Sequence, residues 1–283
     1  MSEWSAWIGR ESRQEDRLDE ALARRWLAAF DRDAPADGTV PQGIHWCLCT
    51  PEAATADLGE DGHPRRDTGE GLFPPIPLPR RMWAASEVEF LAPLKVGAEI
   101  DRISRIVSIE EKQGSSGALA FVVVAHETRA DGAPAVRERQ TLVYRGAAPA
   151  DAPLSPPAPG EGMFDPAAWQ AHKALVPQPP LLFRYSALSF NSHRIHYDLS
   201  YAREVERYRG LVVHGPLMAS LLLQLAAERL GDDALARFAF RALSPAIAGV
   251  PLHLVLGERG ETIELGAFAA DGRQVVRAEA ARS

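Results

Sequence analysis

The residues able to move protons gather in one short stretch. Asn191, Ser192, His193, Arg194, His196, Tyr197 and Asp198 lie within NSHRIHYD, residues 191–198. Three chemistries compete for it. His193, His196 and Asp198, spaced three and then two, are a pair of imidazoles and a carboxylate of the kind that binds iron or zinc. That spacing is cramped, however, and no second segment offers further ligands, so no metal is expected. A polar turn bonded only to backbone is the plain reading. General acid–base catalysis is the third, because an imidazole exchanges protons near neutral pH and a neighbouring carboxylate or amide fixes its tautomer.

The element that follows bears on the choice. Leu217 to Leu230, introduced by His214, Gly215 and Pro216, is apolar on every side of a helical wheel, which marks a buried helix. Its length, roughly 21 Å at the helical rise, is short of the about 20 residues that cross a membrane. Pro216 suits the first turn and Gly231 the C-terminal end. Something must wrap such a helix, and a curved sheet does so economically. The first turn of a buried helix carries unpaired N–H groups and partial positive charge. With glycine at 215, a carbonyl oxygen gaining charge has access to that N–H. Gly-Pro before a helix is also ordinary turn chemistry. A strand expected over Pro180–Phe190, the polar cluster, the bare helix start and later antiparallel strands together make a thioester site. In it the helix polarises the acyl carbonyl while a histidine of the cluster and its partners move protons at the α and β carbons.

Composition narrows the class. The chain has 283 residues with 46% apolar and 24% charged, so ordinary cores and two domains are expected. A net charge of −7 argues against nucleic acid as a partner. The only cysteines, Cys47 and Cys49, read as reduced thiols, and the charged N-terminus lacks the apolar centre of a signal peptide. A cytoplasmic protein without membrane contact is the expectation.

In chain order, Asp19–Phe30 has apolar residues at helical spacing. Pro41–Thr50 is apolar and ambiguous, and His45 beside Trp46 reads as packed. Residues 52–80 are rich in Gly, Pro and charge and predict a long surface excursion, ending in Arg80 and Arg81, which could meet phosphate. Strands are expected at 82–94, 101–110, 118–126 and 135–144, with turns at KQGSSG and ADGAP. A Pro/Ala-rich linker spans 147–162. Further strands are expected at 237–243, 252–257, 261–269 and 274–280. The halves, 1–146 and 163–283, share a helix-then-strands plan.

At this point the sequence resembles a family. IHYD (Ile195–Asp198) matches the end of the MaoC-like hydratase motif G-D-x-N-P-[LIV]-H-x-D. FRYSALSFNSHRIHYD with GLVVHGPL, and PIPLPRRMW with EVEFLAPLKVG, resemble the double hot-dog subgroup of mesaconyl-CoA and itaconyl-CoA hydratases and mitochondrial-type 3-hydroxyacyl-thioester dehydratases. The resemblance implies an α+β double hot-dog fold, two antiparallel sheets each wrapped around a helix, with the chemistry in the second half and the acyl pocket shaped by the first. It implies reversible hydration of an enoyl-CoA, with a short branched dicarboxylic acyl group preferred. Straight-chain 3-hydroxyacyl-thioester dehydration, acyl-CoA hydrolysis by a hot-dog thioesterase, and a non-enzymatic acyl-CoA-binding subunit are the alternatives. The partner is an acyl-CoA or acyl-carrier thioester, coenzyme A is part of the substrate and no other cofactor is implied; self-association is open.

Registering on His196 places Asn191 at the motif's catalytic Asp, and an amide cannot exchange a proton. His196 is then the base that activates water, with Asp198 next as acid or orienter, His193 third and Asn191 a positioner. Gly215 is expected at the oxyanion. Arg194, Arg184 and His214 are candidates to bind substrate, the arginines through a carboxylate or the coenzyme phosphates.

Overall fold

The computed structural model describes residues 3–66, 69, 71–114 and 117–283. Alternating burial along the strands, such as buried Val122 and Val124 between more exposed neighbours on one strand, builds sheet wherever the sequence has period two. The strands are β1 (Glu11–Arg17), β2 (Thr39–Val40), β3 (Arg80–Phe90), β4 (Leu94–Lys95), β5 (Glu99–Gly114), β6 (Gly117–Ala130) and β7 (Ala133–Arg145). They continue with β8 (Ala171–Leu175), β9 (Leu235–Ala242), β10 (Leu252–Arg259), β11 (Thr262–Ala269) and β12 (Gln274–Arg282). The helices are α1 (Glu20–Ala29), α2 (Pro179–Leu188) and α3 (Gly215–Leu230).

Ten strands form one continuous sheet in the order β1-β5-β6-β7-β3-β9-β12-β11-β10-β8, and β2 and β4 form a small ribbon. The two expected sheets are thus joined edge to edge: β3 pairs antiparallel with β9, from Ala85 opposite Arg241 to Glu89 opposite Arg237. Joining them leaves neither half with an open edge at the seam. The β6–β7 hairpin turns at Asp131 and Gly132, both with positive φ (50° and 82°), the conformation a two-residue hairpin with right-handed twist requires. The other expected turn, KQGSSG, includes Ser115 and Ser116, which lie outside the described residues.

Helix α3 is the buried axis. Leu217, Ala219 and Leu222 are fully enclosed, and α3 packs against β3, β8, β10 and β11. It shares one apolar core with α1, α2 and both halves of the sheet. Helix α1 begins at Asp19, whose side chain accepts from Leu22 N–H as an N-cap. Unlike α3 it is one-sided, with Ala23, Trp26 and Leu27 buried.

Three expectations change. Pro180–Phe190 is not a strand: Pro179 and Pro180 open α2, and Leu182, Tyr185 and Leu188 are buried three residues apart, so helical period wins over the apolar run. Residues 52–80 are not a solvated excursion. Ile76 is buried and Leu72, Phe73 and Leu78 pack beside it on Ile106, Val122, Val124, Leu142 and Tyr144. Asp67, Thr68 and Glu70 of that stretch lie outside the described residues. Arg80 is not available to phosphate, because it is buried against the Glu206 carboxylate and donates to the Glu206 carbonyl at 3.0 Å.

The Pro-rich segment 147–162 lies fastened along the second half. Ser155 bridges Tyr208, and the Arg207 and Arg209 side chains donate to Ala152 and Pro156 carbonyls. Among the described residues no helix is long and apolar enough to cross a membrane.

Candidate active site

A cleft of about 1720 Å³ runs between the halves, walled by residues of both. Asn191, His193, His196, His214 and Gly215 line it. Asp198, Arg194 and Arg184 do not.

His196 ends a short helical turn over Arg194–His196 and is buried. Its Nδ1 lies 2.7 Å from the Val212 carbonyl oxygen. A carbonyl only accepts, so Nδ1 carries the proton and Nε2 keeps its lone pair. The strand-like link before α3 holds that arrangement, since Val212 N–H donates back to Ile195 O at 2.9 Å. Burial pushes the His196 pKa down to about 3, offset in part by the Val212 bond. At neutral pH the ring is therefore an uncharged base.

His214, the N-cap residue of α3, stacks on His196 with ring centroids 3.5 Å apart. Its Nε2 is 2.8 Å from Ser186 Oγ on α2. His214 thus clamps the His196 ring between helices, and burial keeps it neutral. Gly215 follows, and among the described residues nothing accepts its N–H. Pro216 has no N–H, and the first helical bond is Met218 N to His214 O. The nearest atom to a side chain built at 215 is the Trp83 carbonyl oxygen at 3.5 Å, so β3 forms the facing wall.

Asn191 accepts from His193 N–H at 2.9 Å through Oδ1. Its amide NH₂ is left as a donor at the cavity, a group that can hold water or substrate but cannot exchange a proton. His193 is 6% exposed and lies edge-on to His196.

Three residues singled out in the sequence do not line the cleft. Asp198 accepts from Arg194 Nε and Nη2 at 3.0 and 2.7 Å and from Tyr201 N–H at 3.0 Å. Its pKa is lowered, first by the Tyr201 backbone bond, so it caps the next helical turn and orients no histidine. Arg194 is committed to Asp198, to the Glu60 carbonyl and to the face of Tyr201. Arg184 projects to solvent from α2. The His193, His196 and Asp198 grouping therefore does not converge.

His63, which the sequence did not flag, and Arg81, expected only as a group that could meet phosphate, stand at the cleft. His63, from the long segment of the first half, lies against His193 with centroids 4.1 Å apart and planes tilted by 38°, and Asp61 Oδ2 accepts from its Nδ1 at 2.8 Å. Arg81 also lines the cleft; among the described residues it makes no close ion pair, lies 5.6 Å from the Phe73 ring, and its charge acts on the Asp61 carboxylate. Nothing in a Gly- and Pro-rich stretch distinguishes HPRR as functional. Its meaning comes from where it docks. Deeper in, Arg102, Ser104, His126, Glu138 and Gln140 make a polar floor on β5–β7, with Ser104 Oγ 2.8 Å from His126 Nδ1.

An uncharged imidazole base, a free backbone N–H at a helix start and an amide donor on one cleft fit the addition of water to an enoyl thioester. The chain matches the hydroxyacyl-thioester dehydratase type 2 family over residues 43–248. It is 40% identical over 282 residues to the mesaconyl-C(4)-CoA hydratase of Chloroflexus aurantiacus, covering 98% of this chain and 97% of that protein. Among solved structures, a MaoC-like dehydratase from Phytophthora capsici superposes with a TM-score of 0.72 at 14% identity, over 97% of this chain and 96% of that one. A Mycobacterium tuberculosis protein described as a double hot-dog fold gives 0.59 at 14% identity, over 97% and 96%. With the motif, the buried helix and a near-full-length relative in agreement, this chain belongs to the hydroxyacyl-thioester dehydratase type 2 family, a hydro-lyase on the double hot-dog fold.

Proposed function

We propose that the protein adds water reversibly to a short, branched, dicarboxylic enoyl-CoA, with mesaconyl-C(4)-CoA as the first candidate. The observation that carries the reading is the pairing of His196 Nε2 and Gly215 N–H on one cleft. The thioester carbonyl would accept from Gly215 N–H, which draws electrons from the C=C bond. Water held by the Asn191 amide would lose a proton to His196 Nε2 as its oxygen bonds the β carbon. A proton delivered to the α carbon completes the addition.

The dicarboxylic preference is supported by the relative's substrate and by Arg81. Its charge acts on both His63 and His193, which makes it the cation we assign to a carboxylate on the β carbon. The polar floor fits a polar acyl group better than a long alkyl chain. Hydrolysis of the thioester is disfavoured because the first turn of α3 carries no acidic residue. We read the reaction as needing no resident cofactor, with coenzyme A arriving as part of the substrate. The buried free thiols Cys47 and Cys49 fit a reducing, cytoplasmic compartment.

The test incubates the protein with mesaconyl-C(4)-CoA, itaconyl-CoA and crotonyl-CoA and reads products by mass, with a thiol-reactive dye in parallel. One water gained with no free thiol is the expected outcome. Thiol release selects the thioesterase reading, and no reaction with any substrate overturns the proposal. His196→Ala should lower turnover by roughly 100- to 10,000-fold. Arg81→Gln should raise KM for the dicarboxylic thioester by about 10- to 100-fold, the worth of a charged hydrogen bond, and leave crotonyl-CoA unchanged.

A further inference from the structure

The motif that ends in IHYD has a carboxylate where this chain has Asn191, and Asp198 faces Arg194 rather than the cleft. In the second half, His196 is the imidazole whose tautomer a backbone bond fixes, and His193 lines the same cleft edge-on to it, for a reaction that moves protons at two carbons. A further proton-transfer group comes from the first half. We propose that Asp61 and His63 form a second carboxylate–imidazole pair in which His63 exchanges the α-carbon proton while His196 handles the proton of water. This rests on the hydratase reading above.

The geometry is specific. Asp61 uses both carboxylate oxygens on one residue: Oδ1 accepts His63 N–H at 3.0 Å and Oδ2 binds the ring Nδ1 at 2.8 Å. With Nδ1–H held by the carboxylate, the second ring nitrogen, Nε2, is the one left to exchange a proton. The side chains of His63 and Asp61 are 17% and 19% exposed, so the pair is enclosed, yet His63 lines the cleft. Its ring covers His193, which sits edge-on to His196.

The dock that puts the pair there is made by backbone. Ser192 Oγ donates to Gly62 O at 2.6 Å, and Arg194 N–H donates to Asp61 O at 2.9 Å. Gly62 lies between the two acidic-pair residues at φ +86°, and a Cβ on it would stand 2.0 Å from Ser192 O. Only glycine permits this approach. The segment is thus built to hold Asp61 and His63 against the NSHRIHYD turn.

The proton balance closes. His63, protonated at Nε2 and held as an ion by Asp61, gives its proton to the α carbon. At the β carbon the C–O bond forms, and His196 Nε2 takes one proton from water. His196 then releases a proton to solvent and His63 takes one up, so the sum is one water added.

The charged and titratable groups facing His63 are Asp61 on its own segment, Arg66 beside it, Arg81 from β3, and His193 and His196 from the second half. In the free protein, burial and then Arg81 push His63 down to about 4, against the lift from Asp61. A substrate carboxylate seated on Arg81 would offset that charge, the second cause of the depression after burial, and so raise His63.

The experiment compares wild type, His63→Ala and Asp61→Asn with mesaconyl-C(4)-CoA. Expected for His63→Ala is a kcat loss of roughly 100- to 10,000-fold with KM little changed, partly restored by added imidazole. Asp61→Asn removes the group that favours charged His63. Because the acid must be protonated, the alkaline fall in kcat should move to lower pH. A merely structural role would lower the melting temperature without moving that limb. Wild-type kcat in His63→Ala, or rates abolished by chelator and restored by a divalent cation, would overturn the pair's role. Either result leaves the hydratase reading standing if wild type still gains water, whereas an inactive wild type sinks that reading first.

Discussion

At the scale of single residues, burial does more than sequence neighbours to set the chemistry. His193 and His196 sit three positions apart in one turn, yet only His196 has its tautomer fixed, because Val212 O happens to face its Nδ1. Asp198 shows the converse. It is two residues from His196, but the helical turn points it at Arg194 and Tyr201 N–H. Asp198→Asn should therefore lower the melting temperature and leave turnover within a few-fold of wild type, the reverse of what motif position suggests. Assaying both in one preparation separates the two roles. The histidines also set a pH window. Folded His63 and His196 titrate at about 4 and about 3, depressed by burial, against 6.5 for a free imidazole. Between those values the unfolded chain binds protons that the folded chain refuses. Stability is full above pH 6.5 and drains as pH falls toward 4. A melting temperature that holds steady from pH 7 to 4 would contradict this; His196→Gln should reduce the fall.

At the scale of elements, α3 and the segment before β3 are the two parts that matter. Helix α3 is held by packing and not by an amphipathic stripe, with Leu222 fully enclosed. Leu222→Ala should cost about 2–5 kcal/mol, seen as a lower denaturant midpoint with the slope unchanged. The helix also presents its first N–H to the cleft, so the same burial that stabilises it orients the oxyanion contact we propose. The 52–80 segment is placed by its docking. Gly62→Ala forces a Cβ into Ser192 O and should depress turnover more than it depresses thermal stability, because the segment shifts while the sheet stays intact. Equal losses in both would mean that the segment supports the fold rather than the site.

At the scale of the molecule, contacts that cross the seam predict that the halves unfold as one cooperative body. The β3–β9 ladder, the shared core around α3, and Arg80 of the first half against Glu206 of the second all cross the seam. Both side chains of that ion pair are less than a tenth exposed. Arg80→Ala leaves a buried carboxylate without its counter-charge and should cost about 3–5 kcal/mol. Calorimetry should show a single transition that moves down as a whole; two transitions, with only one displaced, would mean that the halves unfold independently.

What could be read from the sequence follows period and composition. The eight central strands declare themselves by alternation and turn residues, and α3 by an apolar run too short to span a membrane and too uniform to lie on a surface. His196 and Gly215 are legible because each sits a fixed few residues from a recognisable neighbour. Helix α2 misleads because its apolar run reads equally well at either period until three-residue burial decides. The join of the two sheets, the loss of Asp198 and Arg194 to each other, and the arrival of Asp61–His63 beside His193 were decided only in three dimensions. The pair and the histidine it covers are 130 residues apart in sequence. No local pattern encodes such a meeting; it depends on how one backbone segment packs against another after both halves have closed.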